Sequence, residues 1–397
     1  MTAPHQTRPL LTTPFHDRAR AASQLDRFVA WSGFSTVDVY TSAEQEYFAI
    51  RNTCSVFDLS PMIKYRITGA GAEAFLNRLV TRDVRKLKPG RVGYAVWCND
   101  DGHVIDDGTI FRLGAADYML CSAERQLNWL LDSAIGFDVA IADVTEAIAA
   151  LSVQGPTSCA ILRAFGLTGV ERLTPFAVAE LTVAGSCLTV SRTGFTGDLG
   201  YELWMEPGDA AEIWDRLLSA GASRGIRPIG SAALNMARIE AGFIMPRIDF
   251  VPAESAVHLN RTHSPFELGL GWLVDFAKGH FTGRRALLAE QQRGPRRRLV
   301  GLDIAGNKPA YDALLYADQS CRRRVGSVTS AMWSPTCKRN IALAMVDAPH
   351  FAQGRALWAE IYLCRELQWE RRVARATVTP TPFFAPARRK ATPPASH

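Results

Sequence analysis

Two adjacent carboxylates, Asp106 and Asp107, stand in Val104-Ile-Asp-Asp-Gly108, a stretch that reads as part of a strand. Successive strand side chains point to opposite faces, so the two acids cannot form a dyad with each other. One faces a pocket while the other faces solvent or a structural partner, and a buried one needs a hydrogen-bond donor. Catalysis by either competes with an ion pair or a turn-stabilising role. A third acid, Asp198, lies in Ser191-Arg-Thr-Gly-Phe-Thr-Gly-Asp-Leu-Gly-Tyr-Glu-Leu-Trp204. Its glycines allow tight turning and close approach to a flat ligand, although a ligand-free hairpin uses the same residues. Asn235 and Arg238 are three apart and share a helix face, one able to hold a carboxylate or an amide-bearing ring; Glu240 does not share it. The plainer alternative is a surface face or an interdomain salt bridge. Trp272, in Leu268-Gly-Leu-Gly-Trp272, is open to a planar ligand or belongs to a core.

Other chemistries are disfavoured. The chain has no G-x-S-x-G elbow, no P-loop and no G-x-G-x-x-G between a strand and a helix. Its eight histidines form no H-x-x-x-H pair and its eight cysteines no C-x-x-C, so no metal site is expected, and a reducing cytoplasm suits the free thiols. No apolar run reaches the ~18–20 residues that span a bilayer, and Met1-Thr-Ala-Pro-His-Gln lacks a secretory pattern. A net charge of +6 is concentrated at Arg293–Arg298, Arg322–Arg324 and Arg388–Lys390 without interleaved aromatics. These clusters read as solvated surface rather than a nucleic-acid face.

The elements that must position the acids follow from periodicity. At 397 residues, two or three domains are expected. The first twenty residues read as an extended or disordered lead-in. Helices are expected at 44–50, 72–79, 124–135, 157–165, 207–220 and 230–241, the last with Ser231 as N-cap and Gly242 after its end. Strands are expected at 65–68, 92–98, 104–113, 118–121, 149–153, 180–183, 187–191 and 201–204, with Asn99-Asp-Asp-Gly102 closing a hairpin. Beyond residue 294 only short strands remain, which predicts an all-β module.

An ordered set of segments goes further: Phe57-Asp-Leu-Ser-Pro-Met62, Gly93-Tyr94 through Asn99 to Asp107, Val153-Gln-Gly-Pro156, Arg192 to Glu202, Arg238-Ile-Glu-Ala-Gly242, Leu270-Gly-Trp272, Phe281-Thr-Gly-Arg284 and Thr329-Ser-Ala-Met-Trp-Ser-Pro335. Over roughly residues 25 to 380 this order resembles the glycine-cleavage T-protein (aminomethyltransferase) family. The resemblance implies an α+β, three-domain cloverleaf around tetrahydrofolate: two intertwined α+β domains over 25–290 and a C-terminal β-barrel over 291–380, flanked by a lead-in (1–24) and a flexible tail (381–397). It implies Asp106 as the catalytic acid. Met62, Tyr94, Asn99, Asp198, Arg238 and Trp272 are implied to line the folate site, with Asp198 gripping the pterin edge. A small methyl or aminomethyl donor, and a lipoyl carrier protein, are the implied partners.

The chain departs from the family pattern at several positions. Asp198 stands where Glu is usual, Pro61 where His is, His103 where a second Gly is, and Leu234-Asn235 where Arg-Asp is. A relative that demethylates another small molecule is therefore expected beside the true aminomethyltransferase. The alternative is a folate-binding accessory protein of iron–sulfur assembly. Its K-G-C-[YF]-x-G-Q-E segment is here Lys278-Gly-His-Phe-Thr-Gly-Arg-Arg285, with His280 in place of the thiol.

Overall fold

A computed structural model describes residues 9–393. The chain enters one sheet, leaves to build a second, and returns to finish the first. Strand Cys54–Asp58 belongs to a six-stranded sheet ordered Val178–Val183, Ser186–Ser191, Gly200–Met205, Ala149–Gln154, Cys54–Asp58, Ile226–Pro228. Between its first and second strands the chain lays down a five-stranded sheet ordered Arg91–Cys98, Val104–Arg112, Asp117–Ser122, Ile63–Thr68, Ala140–Asp143. This interleaving is why two α+β units share one stretch of sequence. Six further strands, from Arg297–Ile304 to Gln368–Thr379, close into a barrel.

Each unit has its own apolar interior. Ile63, Phe75, Leu79, Trp97 and Ile110 pack behind the five-stranded sheet. Leu151, Leu162, Leu203 and Trp214 fill the six-stranded one. Leu302, Leu315, Ala344 and Leu357 fill the barrel. Helix Ser231–Glu240 joins the units, its Ile239 packing on Met332 and Ile341 of the barrel.

Several local expectations change. The amphipathic pattern at 124–135 yields only Leu127–Ser133, and Ile135 is left 80% exposed. Ser231 is the first helical residue rather than the cap. Gly230 takes the cap position, and its N–H is satisfied by Glu46. Of the lead-in, residues 1–8 lie outside the described residues. The rest is anchored, because Phe15 is fully buried against the Trp214 ring and helix His16–Ala22 follows it. The short strand Leu314–Tyr316, unmarked by periodicity, completes the barrel.

The glycines of the 191–204 segment serve a purpose other than ligand approach. Strand Gly200–Met205 pairs antiparallel with Ala149–Gln154, placing Gln154 opposite Gly200. The Gln154 amide lies between Gly194 and Gly200, donating to the carbonyls of Thr193 and Tyr201 and accepting from Thr196. A Cβ on Gly194 or Gly200 would come within 2.1 or 2.0 Å of Gln154 Oε1. These glycines make room for a buried amide whose hydrogen bonds fix the loop that carries Asp198. Gly200→Ala is therefore expected to destabilise the fold by about 1–3 kcal/mol or more. Gly208→Ala, where an added Cβ meets nothing within 4 Å, should cost well under that. Urea unfolding of the two variants checks the difference.

Candidate active site

Strands Arg91–Cys98 and Val104–Arg112 pair so that Val96 faces Asp107 and Trp97 faces Asp106, with a bulge at Trp97/Cys98. Alternation then sends the two acids apart. Asp106 goes to the Trp97 side and is fully buried. Its Oδ1 accepts from the Asp107 N–H at 2.9 Å and its Oδ2 from the Glu124 N–H at 3.1 Å. Burial, with the charge of Asp107 beside it, pushes its carboxyl well above the ordinary range.

Asp107 is half-buried on the Tyr94 side. Its Oδ2 accepts from the Tyr94 hydroxyl at 2.7 Å, while no hydrogen bond among the described residues engages Oδ1. Burial, with the Asp249 charge, raises its carboxyl to about 6 against the lowering effect of the Tyr94 hydroxyl and of its own backbone N–H. Burial and Asp107 hold the Tyr94 phenol well above its usual range, so it stays the donor. The Tyr94 ring lies 6.2 Å from the Trp272 ring, tilted by 35°, and Trp272 is 70% exposed. A carboxyl raised to about 6, a phenol and an exposed aromatic ring are thus brought together.

The remaining expected residues sit in protein-internal roles. Met62 is partly buried against an apolar cluster that includes Phe57, Val92 and Phe111. Asn99 accepts the His103 N–H through Oδ1 and closes the hairpin turn. Arg238 is 1% exposed. It donates to Asn235, the Phe243 carbonyl, Asp249 and Ser330, so it ties helix, loop and barrel together rather than facing open space. Burial lowers its pKa against the raising effect of Asp249.

Asp198 is the surprise. Its carboxylate has no accessible surface and meets Arg51 at 3.3 Å. Arg51 in turn donates through Nε to Glu240 at 2.9 Å, and the Tyr47 hydroxyl reaches Glu240 at 2.6 Å. Burial opposes the charge on Arg51, yet Glu240 and Asp198 outweigh it. Arg388 closes the cluster on Asp198 with Nε at 2.6 Å and Nη2 at 2.8 Å. The cluster at 388–390 is therefore not simply solvated surface, because a fully buried acid captures its first guanidinium. Nothing in the local sequence around Arg51 or Arg388 signals this; the partners are 147 and 190 residues away in the chain.

Residues 16–278 match the GCVT N-terminal domain and residues 297–385 the glycine cleavage T-protein C-terminal barrel domain. The chain belongs to the glycine-cleavage T-protein family. Among its relatives, the aminomethyltransferase of Halothermothrix orenii is 34% identical over 83% of this chain and 90% of that protein. A trimethylamine-oxide aldolase of Ruegeria pomeroyi is 36% identical over 86% of this chain and 44% of that longer protein. The crystal structure of the glycine cleavage system aminomethyltransferase T of Bartonella henselae superposes with a TM-score of 0.83 at 26% identity, covering 95% of this chain and 98% of that one. The α+β fold with its closed barrel is thus the T-protein fold, and the chain is an enzyme of a family of tetrahydrofolate-dependent one-carbon transferases. The iron–sulfur accessory alternative is not favoured by these relatives. Among the described residues no helix is long and apolar enough to cross a membrane, and no group of three or more His, Cys, Asp or Glu is placed to hold a metal ion.

Breaking the Arg238 tie leaves Asp249 buried without its cation. Arg238→Met should therefore cost about 3–5 kcal/mol of stability, read as a lowered midpoint in chemical unfolding; a loss under about 1 kcal/mol would contradict the tie.

Proposed function

We propose that this enzyme moves a methyl or aminomethyl group from a small donor to tetrahydrofolate, with Asp107 as the working acid. One observation carries the assignment: Asp107, not Asp106, turns its carboxylate to the half-open side where Tyr94 and Trp272 meet. Asp106, the acid that the resemblance singles out, has both oxygens engaged by backbone N–H groups. It acts as a structural neighbour, its own carboxyl pushed well above the ordinary range by burial and by Asp107.

The residues present suit a reduced folate. When bound, that group supplies a nitrogen nucleophile that accepts the carbon unit. Tyr94 orients Asp107 by donating to Oδ2, leaving Oδ1 to take up the proton released as a carbon–nitrogen bond forms. A carboxyl poised near 6 is mostly ionised at neutral pH yet basic enough to accept that proton. Trp272 offers an aromatic face at the entrance, and Asn99 closes the turn that fixes the hairpin. Arg238 positions the helix and the barrel around the site. Holding donor and acceptor in line is worth up to roughly 7–11 kcal/mol, so the enzyme needs little beyond orientation and one proton acceptor.

The small-donor reading draws support from the trimethylamine-oxide aldolase relative, whose name places its chemistry on a methylated amine oxide. A lipoyl-carried aminomethyl group is the second reading, supported by the aminomethyltransferase relatives. Anaerobic incubation with tetrahydrofolate and either a panel of methylated amines, sulfonium compounds and methoxyarenes or an aminomethyl-loaded lipoyl carrier separates them. The readout is 5-methyl- or 5,10-methylene-tetrahydrofolate by mass spectrometry, and no product from any donor would overturn the proposal.

Asp107→Asn is expected to reduce turnover by about 10²-fold or more. Asp106→Asn should instead lower stability by about 1–3 kcal/mol, while the folded enzyme keeps turnover within about tenfold of wild type. The reverse pattern would return the role to Asp106. The pH dependence has a definite sign. Activity that requires ionised Asp107 rises as pH increases through about 6. Tyr94→Phe removes a hydrogen bond that favours the ionised form, so the rising limb should move to higher pH by about one unit. A limb that stays in place would contradict the coupling.

A further inference from the structure

The segment from Thr381 to Ala391 crosses the cluster around Asp198 as a strap. The N–H groups of Phe383 and Phe384 both donate to the Glu240 carbonyl, at 2.8 and 3.0 Å. The Phe384 ring lies 4.9 Å from the Arg51 guanidinium carbon, and Arg192 donates to the carbonyl of Ala391. From this strap Arg388 reaches Asp198 and, with Nη2, the carbonyl of Arg51 at 3.2 Å.

A carboxylate accepts along about four lone-pair directions, and all four at Asp198 are in use. Oδ1 takes the Leu199 N–H at 2.8 Å and Arg388 Nε at 2.6 Å. Oδ2 takes Arg51 Nη1 at 3.3 Å and Arg388 Nη2 at 2.8 Å. Two of these donors, Leu199 and Arg51, are fixed in the fold. The other two arrive as the parallel N–H pair of a guanidinium whose side chain is still 36% accessible. The amide and amine edge of a pterin presents the same parallel pair to a carboxylate. Arg388 therefore holds the positions that such an edge would take.

We infer that Arg388 is an internal competitor for the ligand: the strap occupies Asp198, and a ring carrying a paired N–H edge binds by displacing it. This rests on the folate reading above. The exchange is balanced in hydrogen bonds, two N–H groups replacing two, and the displaced guanidinium moves from half-exposure into water. With Arg388 in place, the cluster of Arg51, Arg388, Asp198 and Glu240 is neutral; with Arg388 released, Asp198 and Glu240 share Arg51 alone. The competitor also sets selectivity, since a ligand without the donor pair leaves Asp198 with two vacant directions and cannot compensate for the lost guanidinium. The one-methylene-shorter acid fits this arrangement, because its carboxylate stays in the protein wall where Arg51 and Arg388 meet it.

Binding that must first open the strap is weakened by the fraction of molecules that are open. Removing the competitor should therefore tighten binding. The test is anaerobic calorimetric titration of the full chain with tetrahydrofolate, for wild type, Arg388→Met and Phe384→Ala. Arg388→Met is expected to bind about tenfold more tightly or better, and Phe384→Ala, which loosens the strap without touching Asp198, to shift the same way by less. A second readout is independent of affinity: tetrahydrofolate should speed tryptic cleavage of wild type at Arg388, Arg389 and Lys390, as the strap leaves its seat. Equal or weaker binding by Arg388→Met, or protection of the strap by ligand, overturns the competitor while leaving folate binding intact. Absence of tetrahydrofolate uptake by wild type and by both folded variants overturns the folate reading and the competitor together.

Discussion

A carboxylate in the middle of a β-strand has two directions available, and the site depends on how that choice falls at Asp106 and Asp107. The register of the Arg91–Cys98 and Val104–Arg112 hairpin decides it, pairing Asp106 with Trp97 and Asp107 with Val96. A shift by one residue would exchange every side chain across the sheet. It would bury the acid that meets Tyr94 and expose the one held by the backbone. The turn Asn99–Gly102 and the segment that follows it stabilise that register. Asn99 accepts the His103 N–H, and the carbonyl of His263 accepts the Val104 N–H. A Cβ on Gly283 would come within 2.7 Å of the Asn99 carbonyl oxygen, so a later loop packs directly onto the turn.

Helix Ser231–Glu240 divides its polar residues in a similar way. Arg238 points toward Asp249 and the barrel serine Ser330, whereas Glu240 points to Arg51, Tyr47 and Ser334. Two residues of separation on a helix place the groups on different sides, so one short helix serves two buried ion clusters. Each links sequence-distant elements, and each consists of charges that are costly to bury alone and tolerable when paired and hydrogen-bonded. The barrel and the strap are thereby fixed against the two α+β units by electrostatics as well as by apolar packing.

Much of this was legible in the residues. Alternation separated Asp106 from Asp107, and helical spacing joined Asn235 to Arg238 while excluding Glu240. The switch to short strands after residue 294 announced the barrel. What stayed hidden depended on long-range pairing. Nothing near Gly194 or Gly200 reveals that Gln154 fills the space they leave, because the contact exists only once strands 149–154 and 200–205 are neighbours. Arg51 and Arg388 look like ordinary surface cations until Asp198 is placed between them. Which of Asp106 and Asp107 turns toward Tyr94 follows from the pairing register with strand Arg91–Cys98, which local sequence does not set. The helical pattern at 124–135 extended too far at its C-terminal end, where Ile135 has no partner layer and is left exposed.

The proposed chemistry rests on one strand-borne acid, Asp107, whose carboxyl is raised to about 6 beside Tyr94. Carbon-13 NMR of the enzyme labelled at its aspartate carboxyls measures this directly. A carboxyl resonance titrating at about 6 that vanishes in Asp107→Asn and shifts when tetrahydrofolate is added is the expected result. A resonance that persists in that variant, or that ignores the ligand, would contradict it.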